Sequence, residues 1–146
     1  MELTFRKNPI DWSGVELERM QILGIGTDII ECDRIGRMLA QHNERFTGHV
    51  YTGEEVRYCL GRKRCEQHFA GRWAAKEAVL KALGTGWIAG IAWKDVEVVI
   101  QPGGKPTIQL HCGAAQKAAE LGIAEVLISI SHCQSHATAT AIAVGI

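Results

Sequence analysis

The sequence of 146 residues lacks the features of several protein classes. Its 16 basic and 16 acidic residues leave no formal net charge, which argues against a general polyanion-binding role. No stretch is apolar enough to cross a membrane, and the charged N-terminus has no apolar region of the kind that a signal peptide requires. Only three prolines accompany 16 glycines, which favours a compact fold with tight turns over a disordered chain.

Disulfide signals are also lacking, because the five cysteines are scattered and form no Cys-x-x-Cys pair. Such usage fits reduced thiols better than a secreted disulfide framework. We therefore expect a cytoplasmic protein. The chain is long enough for one domain with a real hydrophobic core that needs no disulfide or metal staples.

Secondary-structure signals alternate along the chain after an irregular start. Strand-like patterns cover residues 21–30, 95–101, 106–111, 124–131 and 137–144. Helical patterns cover residues 34–42, 53–60, a segment from near Cys65 to Gly84, and 113–121. Because hairpins predominate among the strands, we predict an α+β fold with a mostly antiparallel sheet packed with helices. We interpret residues 21–146 as a single domain and residues 1–20 as an N-terminal extension, either a capping segment or an artefact of the assigned start.

Capping residues mark the ends of three predicted helices. Asp33 is positioned to cap the first, and Thr52 with Glu55 has the spacing of a capping box at the second. Gly84 supplies the left-handed stop that commonly ends a helix, and it follows the third.

The segment 69–86 carries the strongest functional signal. Phe69, Trp73, Leu80 and Leu83 recur at helical spacing and form an apolar stripe. Lys76 falls inside this stripe and Glu77 lies at its margin. A buried charge is costly unless it is paired or ligated. Glu77 and Lys81 lie one turn apart beside small alanines, which leave room for a ligand. For Lys76 we expect either a phosphate contact or a partner across a subunit interface.

Asp28 is a candidate metal ligand together with Glu77. Alone, an aspartate after Gly24-Ile25-Gly26 is typically a strand-end residue that hydrogen-bonds its own backbone. The alternative is that Asp28 and Glu77 are two oxygen ligands for Mg²⁺, which keeps some waters and completes its shell with substrate phosphates.

Several cationic side chains are candidates for phosphate binding. Arg72, Lys81 and the loop Gly84-Thr85-Gly86 either form a solvated helix face with an ordinary glycine cap or bind phosphate. His132 follows a strand and is either a half-exposed end residue or a group for phosphate binding and proton transfer.

A basic surface is predicted on the first helix. Arg34 and Arg37 lie three residues apart, so they share a helix face that is either merely solvated or binds an acidic partner. No interleaved set of aromatic residues accompanies these arginines, which argues against single-stranded nucleic acid as the partner.

Four blocks of the sequence resemble the bacterial holo-acyl-carrier-protein synthases, the short, trimeric class of 4′-phosphopantetheinyl transferases. The blocks are 24–31 with Arg34, Phe46 with Thr52 and Glu55, the segment 69–86, and 128–132 with the alternating alanine strand after it. They occur in the family's order, and the segment 69–86 is the longest and most specific of them.

The resemblance implies a 4′-phosphopantetheinyl transferase-like fold and a transfer reaction. The phosphopantetheine arm of coenzyme A would move to a serine of apo acyl carrier protein, with release of adenosine 3′,5′-bisphosphate, in support of fatty acid biosynthesis. The resemblance also implies a homotrimer with active sites between subunits. Coenzyme A and the carrier protein are then the partners, with neither nucleic acid nor a membrane.

Site residues also follow from the resemblance. By similarity, Asp28 and Glu77 hold Mg²⁺ on the coenzyme A pyrophosphate. The residues that contact coenzyme A are Arg72, Lys81, Gly84, Thr85, Gly86 and His132. Arg34 and Arg45 lie where the family presents arginines to the acidic helix of the carrier protein. The general base stays open among Glu77, a metal-bound water and His132.

One departure and two alternatives accompany this interpretation. Many members have an arginine where this chain has His49, so we expect a weaker or pH-sensitive carrier contact there. One alternative is a metal-dependent enzyme that acts on another nucleotide pyrophosphate without a protein acceptor, which the arginine face disfavours. The other is a catalytically silent binding module, which the presence of Asp28, Glu77 and Lys81 together disfavours.

Overall fold

A long central helix packs against a three-stranded antiparallel sheet. The computed structural model describes residues 20–88 and 90–146 of the protein. In chain order, the elements are β1 (Gln21–Glu31), α1 (Cys32–Val50), α2 (Gly53–Leu60), α3 (Cys65–Leu83), a short 3-10 helix (Trp93–Asp95), β2 (Val96–Ile100), β3 (Pro106–Leu110), α4 (Cys112–Glu120), β4 (Glu125–His132) and β5 (His136–Gly145). The sheet has the order β1-β5-β4, and β2 pairs with β3 as a separate antiparallel hairpin. The α+β prediction is confirmed.

Most element boundaries agree with the sequence prediction, and α1 is the exception. The helix begins at Cys32 with Glu31 as its cap, so Asp33 lies inside the first turn and the prediction that it caps the helix is wrong. The predicted end near residue 42 coincides with a kink at Asn43, whose φ is 38°. Beyond this kink the helix continues to Val50, because Phe46 and Val50 extend the buried side.

The capping box of α2 is present as predicted. The Thr52 hydroxyl accepts a hydrogen bond from the Glu55 backbone N–H at 3.3 Å, and the Thr52 N–H donates to Glu55 Oε2 at 2.8 Å. Gly84 ends α3 in the left-handed conformation, also as predicted, with φ of 72°. These ends depend on local hydrogen bonds, which is why the sequence pattern identifies them.

The core of the protein lies between α3 and the sheet. The helix is buried on nearly all sides, and small side chains on β5 allow the sheet to approach it closely. The alanines of β5 that face the helix are Ala137, Ala139, Ala141 and Ala143. No described helix has the length and apolar character needed to span a membrane. Of the N-terminal extension predicted over residues 1–20, only Met20 belongs to the described residues.

Candidate active site

The strand β1 lies directly on α3, and this contact places Asp28 beside the helix. A Cβ atom at Gly24 would collide with the carbonyl oxygen of Ala82. A Cβ atom at Gly26 would collide with the carbonyl oxygen of Ala78, so only glycine fits at these two positions. Asp28 is the next residue on the same face of the strand. The Asp28 side chain is therefore directed toward α3, where it meets Lys81.

Lys81 connects the helix to the strand through its ammonium group. Its Nζ donates hydrogen bonds to Asp28 Oδ1 at 3.0 Å and to the carbonyl oxygen of Thr27 at 2.9 Å. The Lys81 side chain is 52% exposed and that of Asp28 is 16% exposed, so a ligand can reach the pair. Exposed ion pairs contribute about 0–1 kcal/mol to stability, so this ammonium can change partners at little cost.

Glu77 lies one turn before Lys81 on α3, and its side chain is half-buried. Its Oε1 accepts a hydrogen bond from the indole Nε1 of Trp87 at 3.2 Å. Trp87 follows the loop Gly84–Gly86, whose two glycines have positive φ values of 72° and 60°. The loop therefore reverses the chain beyond the end of α3 and brings it back to Glu77.

Asp28 and Glu77 make a donor set that suits Mg²⁺. Asp28 lies on β1 and Glu77 on α3, two elements that pack against each other, and both residues offer hard carboxylate oxygens. Nowhere in residues 20–88 and 90–146 do three or more His, Cys, Asp or Glu side chains converge as a metal cluster. Mg²⁺ commonly takes one or two protein carboxylates and fills its shell with water and substrate phosphates, so two carboxylates are enough.

Lys76 has its partner within the chain, so both expectations for it, a phosphate contact and a pair across a subunit interface, are wrong. Its Nζ lies 2.9 Å from Glu55 Oε2, and both side chains are fully buried. The ammonium also donates to the carbonyl oxygens of Trp93, at 3.2 Å, and Val96. Burial lowers the pKa of Lys76, and the attraction of the Glu55 carboxylate opposes this change. Lys76 is therefore part of the protein interior.

A second group of side chains, here called the cationic cluster, gathers at the N-terminal half of α3. The guanidinium groups of Arg72 and Arg62 lie 4.1 and 4.4 Å from the centre of the Tyr58 ring. Beside this ring, the imidazoles of His68 and His132 meet edge to face at 5.2 Å. The structure thus brings together Arg72 and His132, which the sequence identified separately.

The cationic cluster has the properties of an anion site. Arg72 is only 4% exposed, and its Nε has no hydrogen-bond partner among the described residues. Burial lowers the pKa of His68, and the neighbouring His132 and Arg72 lower it further. A buried guanidinium with an unpaired N–H is stabilised by a charged acceptor, and phosphate and carboxylate groups are the acceptors that suit arginine.

Arg34 and Arg45 lie on α1, one on each side of the kink at Asn43. Both side chains are exposed. The ion pairs found in the described part of the chain include neither of them. Their guanidinium groups are therefore accessible to an external partner, and they do not join the Asp28–Lys81 pair or the cationic cluster.

Three residues of these sites carried no functional prediction from the sequence: Tyr58, His68 and Trp87. His68 immediately precedes the segment 69–86, and Trp87 immediately follows it. Their position next to the strongest block was the available signal. Their partners could not be identified without the fold, because these depend on the loop after α3 and on the end of β4.

The chain is similar to known proteins in both its sequence and its fold. Residues 24–141 match the profile of the 4′-phosphopantetheinyl transferase superfamily, a range that includes β1 from Gly24 onward, all of α3, and His132. A relative from Protochlamydia amoebophila, named holo-[acyl-carrier-protein] synthase, is 48% identical over 120 residues. The aligned region covers 82% of this chain and 96% of that relative.

Solved structures of similar proteins have the same fold. The crystal structure of holo-[acyl-carrier-protein] synthase from Neisseria meningitidis is similar with a TM-score of 0.78 and 31% identity, over 84% of this chain and 98% of that chain. A holo-(acyl-carrier-protein) synthase from Bacillus anthracis, solved in complex with CoA (3′,5′-ADP), has a TM-score of 0.71 and 35% identity. The match covers 88% of this chain and 100% of that chain.

Proposed function

The chain belongs to the 4′-phosphopantetheinyl transferase superfamily, and we propose that it transfers 4′-phosphopantetheine from coenzyme A to a serine of apo acyl carrier protein. Adenosine 3′,5′-bisphosphate is the second product. The observation that carries this proposal is the contact between β1 and α3, which gathers Asp28, Lys81 and the Glu77 turn inside the matched region. The relatives named holo-[acyl-carrier-protein] synthase and the complex with CoA support the substrates.

Asp28 and Glu77 would hold Mg²⁺ against the coenzyme A pyrophosphate. When bound, the cation would offset the negative charge that grows on the phosphate oxygens during attack by the serine hydroxyl. Lys81 is suited to a second role, since its half-exposed ammonium can leave Asp28 for a phosphate oxygen. In the loop after α3, the N–H groups of Gly84 and Thr85 cap the helix by donating to the carbonyl oxygens of Lys81 and Leu80. The Gly86 N–H is therefore the loop donor that we propose for a phosphate oxygen. Catalysis then depends mainly on positioning and electrostatic stabilisation.

The cationic cluster is proposed to bind a further phosphate of coenzyme A. Arg72 supplies the unpaired N–H, and His132 and His68 supply imidazoles beside it. His132 lies two strands from Asp28 in the sheet order, a separation of about 10 Å across the strands. We therefore assign His132 to phosphate binding, and Glu77 or a water molecule to removal of the serine proton.

Two exposed surfaces are candidates for binding other proteins, namely further copies of this chain and the carrier protein. On the outer face of the sheet, Ile25 and Ile29 are 67% and 68% exposed, and Ile25 pairs in register with Ile142. An exposed apolar patch of this kind marks an interaction surface, and we propose that it packs against other copies of the chain in a homotrimer. Arg34 and Arg45 are proposed to bind the acidic helix of the carrier protein.

The cellular setting is inferred from the cysteines and from the proposed product. All five cysteines are free in the structure. Free thiols persist in a reducing compartment, which supports a cytoplasmic reaction. Holo acyl carrier protein carries the growing chain in fatty acid biosynthesis, and we propose that process as the use of the product.

Incubation with coenzyme A, Mg²⁺ and an apo acyl carrier protein tests the proposal, with the carrier weighed by mass spectrometry. We expect the carrier to gain one phosphopantetheine group. Asp28→Asn and Glu77→Gln should each lower the rate about 100-fold, since each removes a charge aimed at the reacting phosphates. Glu120→Gln is the matched control, because Glu120 lies exposed at the end of α4, and it should keep the rate.

Two results would contradict the proposal. Unchanged transfer in Asp28→Asn and Glu77→Gln would show that the reaction does not use this site. Cleavage of coenzyme A that needs no carrier protein would favour the alternative, an enzyme that acts on a nucleotide pyrophosphate without a protein acceptor.

A further inference from the structure

We propose that Trp87 is a positioning residue for Glu77, and that its indole N–H orients the Glu77 carboxylate toward the cation. This inference rests on the proposed function, because Glu77 is proposed there as a ligand of Mg²⁺. The hydrogen bond between Trp87 Nε1 and Glu77 Oε1 measures 3.2 Å. An indole nitrogen only donates, so the bond fixes one carboxylate oxygen and leaves the other to face a ligand.

The Trp87 ring is held by a stack of indoles. Its centre lies 3.9 Å from the centre of the Trp93 ring, and Trp93 lies 4.3 Å from Trp73. Trp73 belongs to α3 and precedes Glu77 by one helical turn. The stack therefore begins on α3 at Trp73, and its last ring, Trp87, bonds back to the same helix at Glu77.

The stack is anchored to the protein interior at its middle ring. The carbonyl oxygen of Trp93 accepts a hydrogen bond from the buried Lys76 ammonium at 3.2 Å. Trp93 also opens the short 3-10 helix that leads into β2. A rotation of Trp87 away from Glu77 would break ring contacts with an element that is itself fixed. The indole is thus more rigid than its place after a glycine loop suggests.

The position of Trp87 also connects two parts of the proposed site. The loop Gly84–Gly86 begins at the end of α3 and finishes at Trp87. When Trp87 binds Glu77, both ends of the loop are attached to α3, so the loop backbone is held near the Glu77 carboxylate. Groups that surround a metal ligand and hold its orientation typically change metal affinity or activity by about 10–100-fold when removed.

The test distinguishes the effect of the Trp87 N–H donor from the effect of its aromatic ring. Trp87→Phe keeps an aromatic ring for the stack and removes the donor, whereas Trp93→Phe removes an indole N–H from the neighbouring ring and serves as the matched control. Mn²⁺ replaces Mg²⁺ as the probe, and electron paramagnetic resonance measures its binding to the wild-type and variant proteins with coenzyme A present. We expect Mn²⁺ to bind about tenfold more weakly to Trp87→Phe than to Trp93→Phe or wild type.

A second measurement leaves Trp87 in place, in case Trp87→Phe folds poorly. The indole N–H resonance of Trp87 in the ¹⁵N spectrum should move when Glu77→Gln is introduced, more than the resonances of the other tryptophans.

In the transfer assay, Trp87→Phe should raise the Mg²⁺ concentration needed for half-maximal rate more than it lowers kcat.

Equal Mn²⁺ affinity in Trp87→Phe and wild type would overturn the inference, as would a Trp87 resonance that is indifferent to Glu77→Gln. Failure of the proposed function looks different. In that case no phosphopantetheine reaches the carrier protein with the wild type, whatever the result of the Mn²⁺ titration.

Discussion

The helix α3 carries two lysines that contact carboxylates at almost the same distance. Lys76 Nζ lies 2.9 Å from Glu55, and Lys81 Nζ lies 3.0 Å from Asp28. The first pair is fully buried, whereas the second is 52% exposed at its lysine and 16% exposed at its aspartate. Two lysines only five positions apart on one helix therefore differ in kind: one belongs to an interior pair and the other to a pair that a ligand can reach.

The neighbours of each pair show what this difference means. The Glu55 carboxylate accepts hydrogen bonds from the backbone N–H groups of Thr52 and Val98 in addition to the Lys76 ammonium. With these groups satisfied, any rearrangement leaves a buried charge without a partner. Lys81 has a carbonyl oxygen and one carboxylate oxygen as partners, and water can replace either. Burial, more than distance, decides which pair maintains the fold and which is available for chemistry.

Breaking the buried pair should have the largest effect. In Lys76→Met, the Glu55 carboxylate loses its cation inside the protein, and we expect the free energy of unfolding to fall by about 3–5 kcal/mol. Urea unfolding followed by circular dichroism measures the change. Adding Glu55→Gln should restore part of the loss, because it removes the unpaired charge. A loss under about 1 kcal/mol, the range of an exposed pair, would contradict the distinction between the two lysines.

Breaking the exposed pair should leave stability nearly intact and act on the reaction instead. For Lys81→Met we expect a change of at most about 1 kcal/mol in the free energy of unfolding. The rate of phosphopantetheine transfer should fall about 100-fold, since a cation aimed at the phosphates is lost. The same urea experiment and the carrier mass assay measure both quantities. Full activity in Lys81→Met would remove Lys81 from the proposed site.

The smallest expected effect concerns the pH dependence of stability at His68, which lies beside other basic groups and has no carboxylate partner among the described residues. Its pKa is lowered in the folded protein from the ordinary value of 6.5, so below that pH the unfolded chain binds more protons. The corresponding stability is complete above pH 6.5 and is lost as the pH falls through the folded pKa. The urea midpoint of the wild type should therefore decline more steeply below pH 6.5 than that of His68→Gln. Parallel pH profiles would contradict this.

Local features of the fold could be predicted from the sequence. The capping box at Thr52 and the stop at Gly84 depend on groups within a few residues of each other, and both were confirmed. The β2–β3 hairpin and the pairing of β4 with β5 likewise follow from alternating patterns around short turns. The end of α1 was missed because the kink at Asn43 interrupts the pattern without ending the helix.

Long-range partners could not be predicted in the same way. The sequence indicated that Lys76 needs a partner, but Glu55 lies 21 residues away and was already assigned to the capping box. Trp87 and Glu77 are only ten residues apart, yet a glycine loop of unknown direction separates them. Each contact depends on the path of a loop between two helices or strands, and residue patterns predict the path of a loop poorly.

The two glycines of β1 limit how this protein can vary at its centre. Where a strand rests on the carbonyl oxygens of a helix, backbone contact and not a side chain sets the spacing between the two. Enlarging Gly24 or Gly26 would lift the strand as a whole and carry Asp28 with it. For protein design, the backbone of β1 therefore fixes the position of Asp28, and substitutions on the exposed face of α1 or in the cationic cluster can be made without touching that contact.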